Sequence, residues 1–275
     1  MIARVTCAIA LIAATALNAA GETGNQAATE AAEQAPPPMP ATRAQELLAA
    51  LAEDDIEAAM AAADELAAVG PAALPHLLAA SGTADETARE RITRILGRIQ
   101  HPDALAALNR MLEDESEAVR REAIGALGSH GRAESVEKLK PFLLVKNPRL
   151  RLQAATALGR IGRNSEAARP AVLGLLRIST ADDDARVRKA AVVGIGLMND
   201  PAAIPVLIMR LRDEDLTVRV LAHLLLKKIS NADLEYDPTD DLAWREEAIV
   251  KWETWWKKHN SDTGGSTGKQ QDVQH

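Results

Sequence analysis

One interval constrains this chain more than any other feature. Arg89, Arg120, Arg151, Arg188 and Arg219 follow one another at separations of 31, 31, 37 and 31 residues. Eight residues after each of the first four stands a glycine (Gly97, Gly128, Gly159, Gly196), with Lys227 in the fifth place. A period of this length means that one small helical unit has been copied and stacked, since each unit needs its neighbours to bury its apolar face.

Registering the segments on the arginine shows what the unit is. The residue before it is Ala88, Val119, Leu150, Val187 or Val218, and three after it come Ile92, Ala123, Ala154, Ala191 and Ala222. Seven after it come Leu96, Leu127, Leu158, Ile195 and Leu226. Steps of four keep these columns on one helical stripe, and the small middle residue lets a neighbouring helix approach. Four before the arginine stand Asp85, Ser116, Asn147, Asp184 and Asp215, each able to cap a helix by accepting a free first-turn N–H. The glycine column reads as the helix terminator. A second stripe follows in Leu105, Leu108 and Leu112, then Val136, Leu139 and Leu143, then Ile204, Leu207 and Leu211, and forms the partner helix. The six extra residues between Arg151 and Arg188 are expected to enlarge the turn from Gly162 to Arg169.

Alanine and leucine dominate an apolar fraction of 47%, aromatics are only 2%, and long β-branched alternations are absent, so the fold class is all-α. The run Asp184, Arg186, Val187, Arg188, Ala191, Gly196 resembles HEAT repeats, most of all the short bacterial variety first associated with phycobilisome lyases. The resemblance covers about Asp85 to Ile229. It implies a right-handed α-solenoid of about five HEAT-like helical hairpins plus N- and C-terminal capping helices. Residues 41–80 read as degenerate helices of the same kind, with Ala62 in the arginine column. The arginines themselves are read as structural, bonded to the N-cap four residues away or to the adjacent repeat's turn, with an anion-binding ladder as the alternative.

Five of the six aromatics lie between Tyr236 and Trp256. A helix over 241–258 would put Trp244, Ala248, Trp252 and Trp255 on one face, with Trp256 beside Ile249. This helix is expected to cap the last repeat, Trp244, Trp252 and Trp255 forming the cap; a binding platform is the alternative.

Positions two, five and nine after each arginine flank the core stripe. They are Arg91, Arg94 and Arg98 in the first unit and Gln153, Thr156 and Arg160 in the third. They become Ala190, Val193 and Leu197 in the fourth and Leu221, Leu224 and Lys228 in the fifth. This ridge, basic at one end and apolar at the other, is the candidate binding site, carried by Arg91, Arg94, Arg98, Arg160, Val193, Leu197 and Leu221. Burial of its apolar end under the C-terminal helix is the competing expectation.

Motifs for chemistry are absent. No two of the six histidines sit three or four apart and none precedes a glutamate, whereas a di-iron HEAT-repeat hydroxylase needs paired His-Glu motifs. His101 and His130 fall at turns of successive units and read as polar turn residues rather than metal ligands. No cysteine cluster, phosphate loop or nucleophile elbow is present, and Asp182, Asp183 and Asp184 read as a capping loop. No catalytic residue, metal or cofactor is expected.

The first twenty residues carry Arg4 and an apolar run from Val5 to Leu17 followed by small residues, the pattern of a secretory signal peptide. Residues 21–40 read as a disordered Ala/Glu/Pro linker, 41–258 as the solenoid and 259–275 as a disordered tail. The net charge of −7 argues against nucleic acid as a partner. The expectation is an exported (periplasmic or secreted), non-catalytic scaffold binding a protein or peptide, with no transmembrane segment in the mature chain. The alternatives are a lyase-like or other small-ligand-handling HEAT-repeat protein, and a module that binds an envelope polymer.

Overall fold

The computed structural model describes residues 39–263 apart from Thr83, with side chains as far as Asn260. The expected signal peptide, nearly all of the linker and the last twelve tail residues lie outside the described residues. Among the described residues every regular element is helical. Helices α1 (Ala41–Ala50), α2 (Ile56–Val69) and α3 (Leu74–Ala80) open the chain. Four hairpins follow: α4 (Glu86–Arg98) with α5 (Pro102–Met111), α6 (Glu117–His130) with α7 (Ser135–Leu139), α8 (Pro148–Asn164) with α9 (Arg169–Ser179), and α10 (Ala185–Met198) with α11 (Ile204–Arg210). Then come α12 (Leu216–Ser230), an extended strap, and α13 (Leu242–Thr263), which runs past the expected end at 258.

Each arginine-bearing helix starts where its capping residue stands. Asp85 accepts from Ala88 N–H, Ser116 from Val119, Asn147 from Arg149, Asp184 from Arg186 and Asp215 from Val218. The three stripe columns of these helices and the triplets of their partners are all buried, joining one continuous core from Met39 to Trp252. The architecture is an α-solenoid. Helices α4, α6, α8, α10 and α12 pack one on the next as a single layer, while α5, α7 and α9 each pack between the arginine-bearing helices of their own and the next unit, and α11 packs chiefly on α12.

The glycine column corrects the terminator reading. Gly97, Gly128, Gly159 and Gly196 lie inside helices that continue past them, and the left-handed caps fall on Gly131, Asn199 and Asn231 instead. A Cβ on Gly128 would stand 2.6 Å from Ala157 Cα, and one on Gly159 would stand 2.5 Å from Gly194 Cα. Gly128 and Gly159 are therefore points where successive helices touch backbone to backbone, while Gly97 makes room for Ala126 and Gly196 for the Leu225 side chain. Close spacing in this layer alone bends the stack toward it, so the arginine-bearing helices line the inner, concave face.

The long interval is corrected as well. Its extra residues do not form a loop: α8 runs to Asn164, with Ile161 and Gly162 buried, and a single 3-10 turn (Glu166–Ala168) leads into α9. Gly162 is retained within α8 because Met198 and Val172 press against it.

The column arginines tie unit to unit. Nη1 of Arg120, Arg151, Arg188 and Arg219 donates to two carbonyls of the turn just before its own helix. Arg89, Arg151 and Arg188 then reach the next repeat's turn, where Asp114, Asp182 and Asp213 accept from them. The partner is thus an aspartate two residues before the next N-cap, not the N-cap. In the last unit the strap replaces it, and Arg219 Nε donates to Pro238 O.

Candidate functional site

Two hollows lie along the inner face. The first, of about 500 Å³, is lined by Ile56, Met60 and Asp64 of α2 and by Arg91, Arg94 and Arg98 of α4. The structure brings the three arginines together but commits each of them. Arg91 donates to the carbonyls of Leu51 and Glu53, tying α4 to the end of α1. Arg94 pairs with Glu90 and Glu122, and Arg98 with Asp64. The ridge therefore lacks the free basic end that its sequence implied, because each cation has met an acid or a carbonyl from another column.

The second hollow, of about 330 Å³, lies between α8 and α10. Leu152, Thr156, Arg186, Lys189, Val193 and Leu197 line it. Val193 and Leu197 are 40% and 38% exposed, and on α12 Leu224 is 58% exposed with Leu221 half-buried beside it. Helix α13 does not cover them. It lies against α11, in the other layer, where Arg212 pairs with Glu246 and Glu253. Arg160 and Lys228 are exposed and Lys189 is half-exposed, and none of the three forms an ion pair among the described residues. The apolar strip thus lies at the end of the ridge where it was expected, and it is flanked by Arg160 and Lys228 and by Lys189, which acts on Asp215 without forming an ion pair. Leu152, Arg186 and Lys189 fall outside columns two, five and nine. Ile56 and Met60 precede the first column arginine, so no register pointed to them.

Tyr236 and Trp252 make the C-terminal closure. Tyr236 Oη–H donates to Leu211 O, and His223 sits edge-on to both rings at 5.1 and 6.4 Å. Burial lowers the His223 pKa and raises that of Tyr236. Trp252 is fully buried, with Ala248 and Ile249 beside it, and Trp255 packs edge-on to it. Trp244, expected in the cap, is 62% exposed: α13 meets the last hairpin only from about Glu246 onward.

His101 and His130 do share a hollow of about 380 Å³, with Asn109 and Arg132. Their ring nitrogens are used locally. His101 Nδ1 accepts from Asp103 N–H, and His130 Nε2–H donates to Leu96 O. Burial holds the His130 pKa below its ordinary value despite that bond to Leu96. Among the described residues no three His, Cys, Asp or Glu side chains are grouped to hold a metal ion, and no helix is long and apolar enough to cross a membrane.

Comparison with known proteins decides the family. A profile described as HEAT repeats matches four overlapping windows, residues 44–118, 74–147, 109–183 and 174–236. The chain belongs to the HEAT-repeat family. Among solved structures, this HEAT-repeat protein is similar to YibA of Escherichia coli, with a TM-score of 0.54, 21% identity, and coverage of 68% of this chain and 72% of that one. That likeness shows the fold alone. Curated relatives include deoxyhypusine hydroxylases of Neurospora crassa and Chaetomium globosum. The first is 42% identical over 94 residues (32% of this chain, 29% of the relative), the second 44% over 79 residues (26% and 23%). The chain spans less than a third of the length of these relatives.

These matches correct three expectations. The expectation of a non-catalytic scaffold, and with it the expectation that the protein is not an enzyme, is overturned by relatives that are named as enzymes. Export is overturned by the same finding, since the matched relatives are hydroxylases of Neurospora crassa, Chaetomium globosum and Gibberella zeae rather than exported bacterial repeat proteins. Repeat columns are shared by proteins of different activity, so a sequence read through its columns did not reach this kinship.

Proposed function

We propose that this HEAT-repeat protein seats a segment of a partner polypeptide along the inner face of α8, α10 and α12, with an apolar anchor followed by acidic residues. The observation that carries the reading is the open strip of Val193, Leu197, Leu221 and Leu224 flanked by Arg160, Lys189 and Lys228. An apolar groove gives affinity through burial, and the surrounding cations select an acidic segment over a basic one. The test is fluorescence anisotropy with labelled amphipathic peptides whose polar face is acidic or lysine-rich. The acidic series binds and Val193→Asp with Leu197→Asp weakens it at least about tenfold, the loss of roughly 1.4 kcal/mol, while circular dichroism stays unchanged. Equal binding of both series, or no loss in the double variant, overturns the reading.

A second reading comes from the curated relatives: hydroxylation of deoxyhypusine, the activity their name states. The grouping of donors described above does not fit a di-iron group, so no step is derived through one. Incubating the iron-supplemented protein with a deoxyhypusine-containing protein and weighing the product decides it. A mass gain of one oxygen supports the reading, and its absence removes it.

A further inference from the structure

The ladder of arginines has one gap, and the gap has the form of a binding site. At three rungs the geometry repeats closely. Arg89 Nε and Nη2 donate to the two oxygens of Asp114 at 2.9 and 3.0 Å, while Ser116 N–H donates to Asp114 Oδ1 at 2.8 Å. Arg151 holds Asp182 at 2.7 and 2.7 Å, with Asp184 N–H at 2.9 Å. Arg188 holds Asp213 at 3.0 and 2.9 Å, with Asp215 N–H at 3.0 Å. Each rung is a guanidinium fork and one backbone N–H converging on a single carboxylate, the bidentate arrangement that arginine favours.

Arg120 is set for the same contact. Its Nη1 donates to Asp114 O and Glu115 O at 2.6 and 2.9 Å, as Arg151 Nη1 does to Val145 O and Lys146 O one repeat later. The turn it faces has the same register, but the residue two before the N-cap Asn147 is Val145, which has no carboxylate. Nε and Nη2 of Arg120 and the N–H of Asn147 accordingly form no hydrogen bond among the described residues. Next to the gap, Leu144 is 79% exposed and Lys146 is exposed. A guanidinium fork without an acceptor, an unengaged N–H, a second cation and an apolar side chain thus share the register that an aspartate fills at the other rungs.

We propose that the Arg120–Asn147 gap binds a carboxylate of a partner polypeptide, which completes the ladder from outside. The rest of the site specifies its neighbourhood. Leu144 provides an apolar contact for the residue beside the carboxylate, and Lys146 adds to the attraction of an acid. The site uses none of the residues of the inner ridge, so it stands or falls separately from the reading of that ridge.

The test is a titration of the full chain with acetate at constant ionic strength, following the arginine Nε–H signals in a nitrogen-15 correlation spectrum. Arg120→Lys assigns the signal, because lysine removes the fork and keeps the charge. The Arg120 signal shifts and saturates, whereas that of exposed Arg160 does not saturate. Val145→Asp supplies the missing carboxylate internally. In that variant the Arg120 signal moves toward those of Arg89, Arg151 and Arg188 and its response to acetate is lost. Two short peptides then separate the sources, one with an internal aspartate and an amidated end, the other with only a terminal carboxylate. Competition by either supports the site and names its ligand. A response at Arg120 that does not saturate, one that survives Val145→Asp, or failure of both peptides to compete overturns the proposal. The comparison of Arg120 with Arg160 in the unmodified protein stands even where a variant folds poorly.

Discussion

Replacing Gly159 by alanine separates the two meanings that a glycine in this column can have. As a mere helix residue, glycine is unfavourable, and alanine in its place stabilises a helix interior by about 0.8–1.0 kcal/mol. In this structure the new Cβ falls 2.5 Å from Gly194 Cα and 3.3 Å from the Gly194 carbonyl carbon. Carbon atoms in good contact stand about 3.5–4.0 Å apart, so α8 and α10 must separate by about 1 Å. Both atoms in the clash belong to backbone, and no side chain can swing aside. Overpacking of this kind costs about 1–3 kcal/mol, and the upper part of that range applies here. The helix gain offsets only part of it, leaving a net loss of about 1–2 kcal/mol. Gly174 in α9 is the control: a Cβ there meets nothing within 4 Å, and Gly174→Ala gains about 0.5–1 kcal/mol. Urea unfolding at 25 °C followed by circular dichroism measures both. Gly159→Ala with a stability equal to or above that of the parent chain refutes backbone contact as the reason for the glycine.

Removing Asp213 leaves the nearly buried Arg188 without its carboxylate and costs about 3–5 kcal/mol. Asp114→Ala costs less, because the Arg89 pair is more exposed; the same urea titrations rank the two. Burial holds the pKa values of His130 and His223 below those of the unfolded chain, so the unfolded state binds protons first as pH falls. Stability from these residues is complete above about pH 6.5 and is lost as pH drops through the folded pKa values. Urea midpoints measured from pH 8 to 5 show the fall, and His130→Gln flattens part of it. Trp252 is fully buried and Trp244 exposed. Acrylamide therefore quenches a tryptophan fraction that Trp244→Phe removes, whereas Trp252→Ala costs about 3–5 kcal/mol in unfolding.

What the sequence shows and what it conceals follow from the range of the interactions. The N-caps Asp85, Ser116, Asn147, Asp184 and Asp215 act on residues two or three away, and the stripes repeat within each helix, so single columns reveal them. The aspartates of the ladder are harder to see. Asp114 is 25 residues from Arg89 and Asp182 is 31 from Arg151, and Val145 interrupts their column. The glycines mislead because their position near helix ends imitates a cap, while their cause is the close approach of the next repeat, by backbone at Gly128 and Gly159 and by the Leu225 side chain at Gly196. Trp244 lies on the helical face that periodicity assigns to the cap, but periodicity does not say where α13 begins to touch α11. For the candidate site, the columns found Val193, Leu197 and Leu221 and left open what covers them. Arg94 and Arg98 pair with Glu122 and Asp64, which stand in column two of the neighbouring units, and Arg91 reaches the carbonyls of Leu51 and Glu53; contacts that cross from one column to another are not visible when each column is read by itself.

The account turns on an inner face that is open while the helices behind it are closed. Single cysteines placed at Leu224 and at Leu226 in a Cys7→Ser chain test this directly, by their rates of reaction with a thiol reagent under native conditions. Leu224 is 58% exposed and Leu226 is fully buried. The cysteine at 224 is predicted to react nearly as fast as in the urea-unfolded chain, with the cysteine at 226 strongly protected. Equal protection at both positions would mean that the ridge is covered, and would contradict the account.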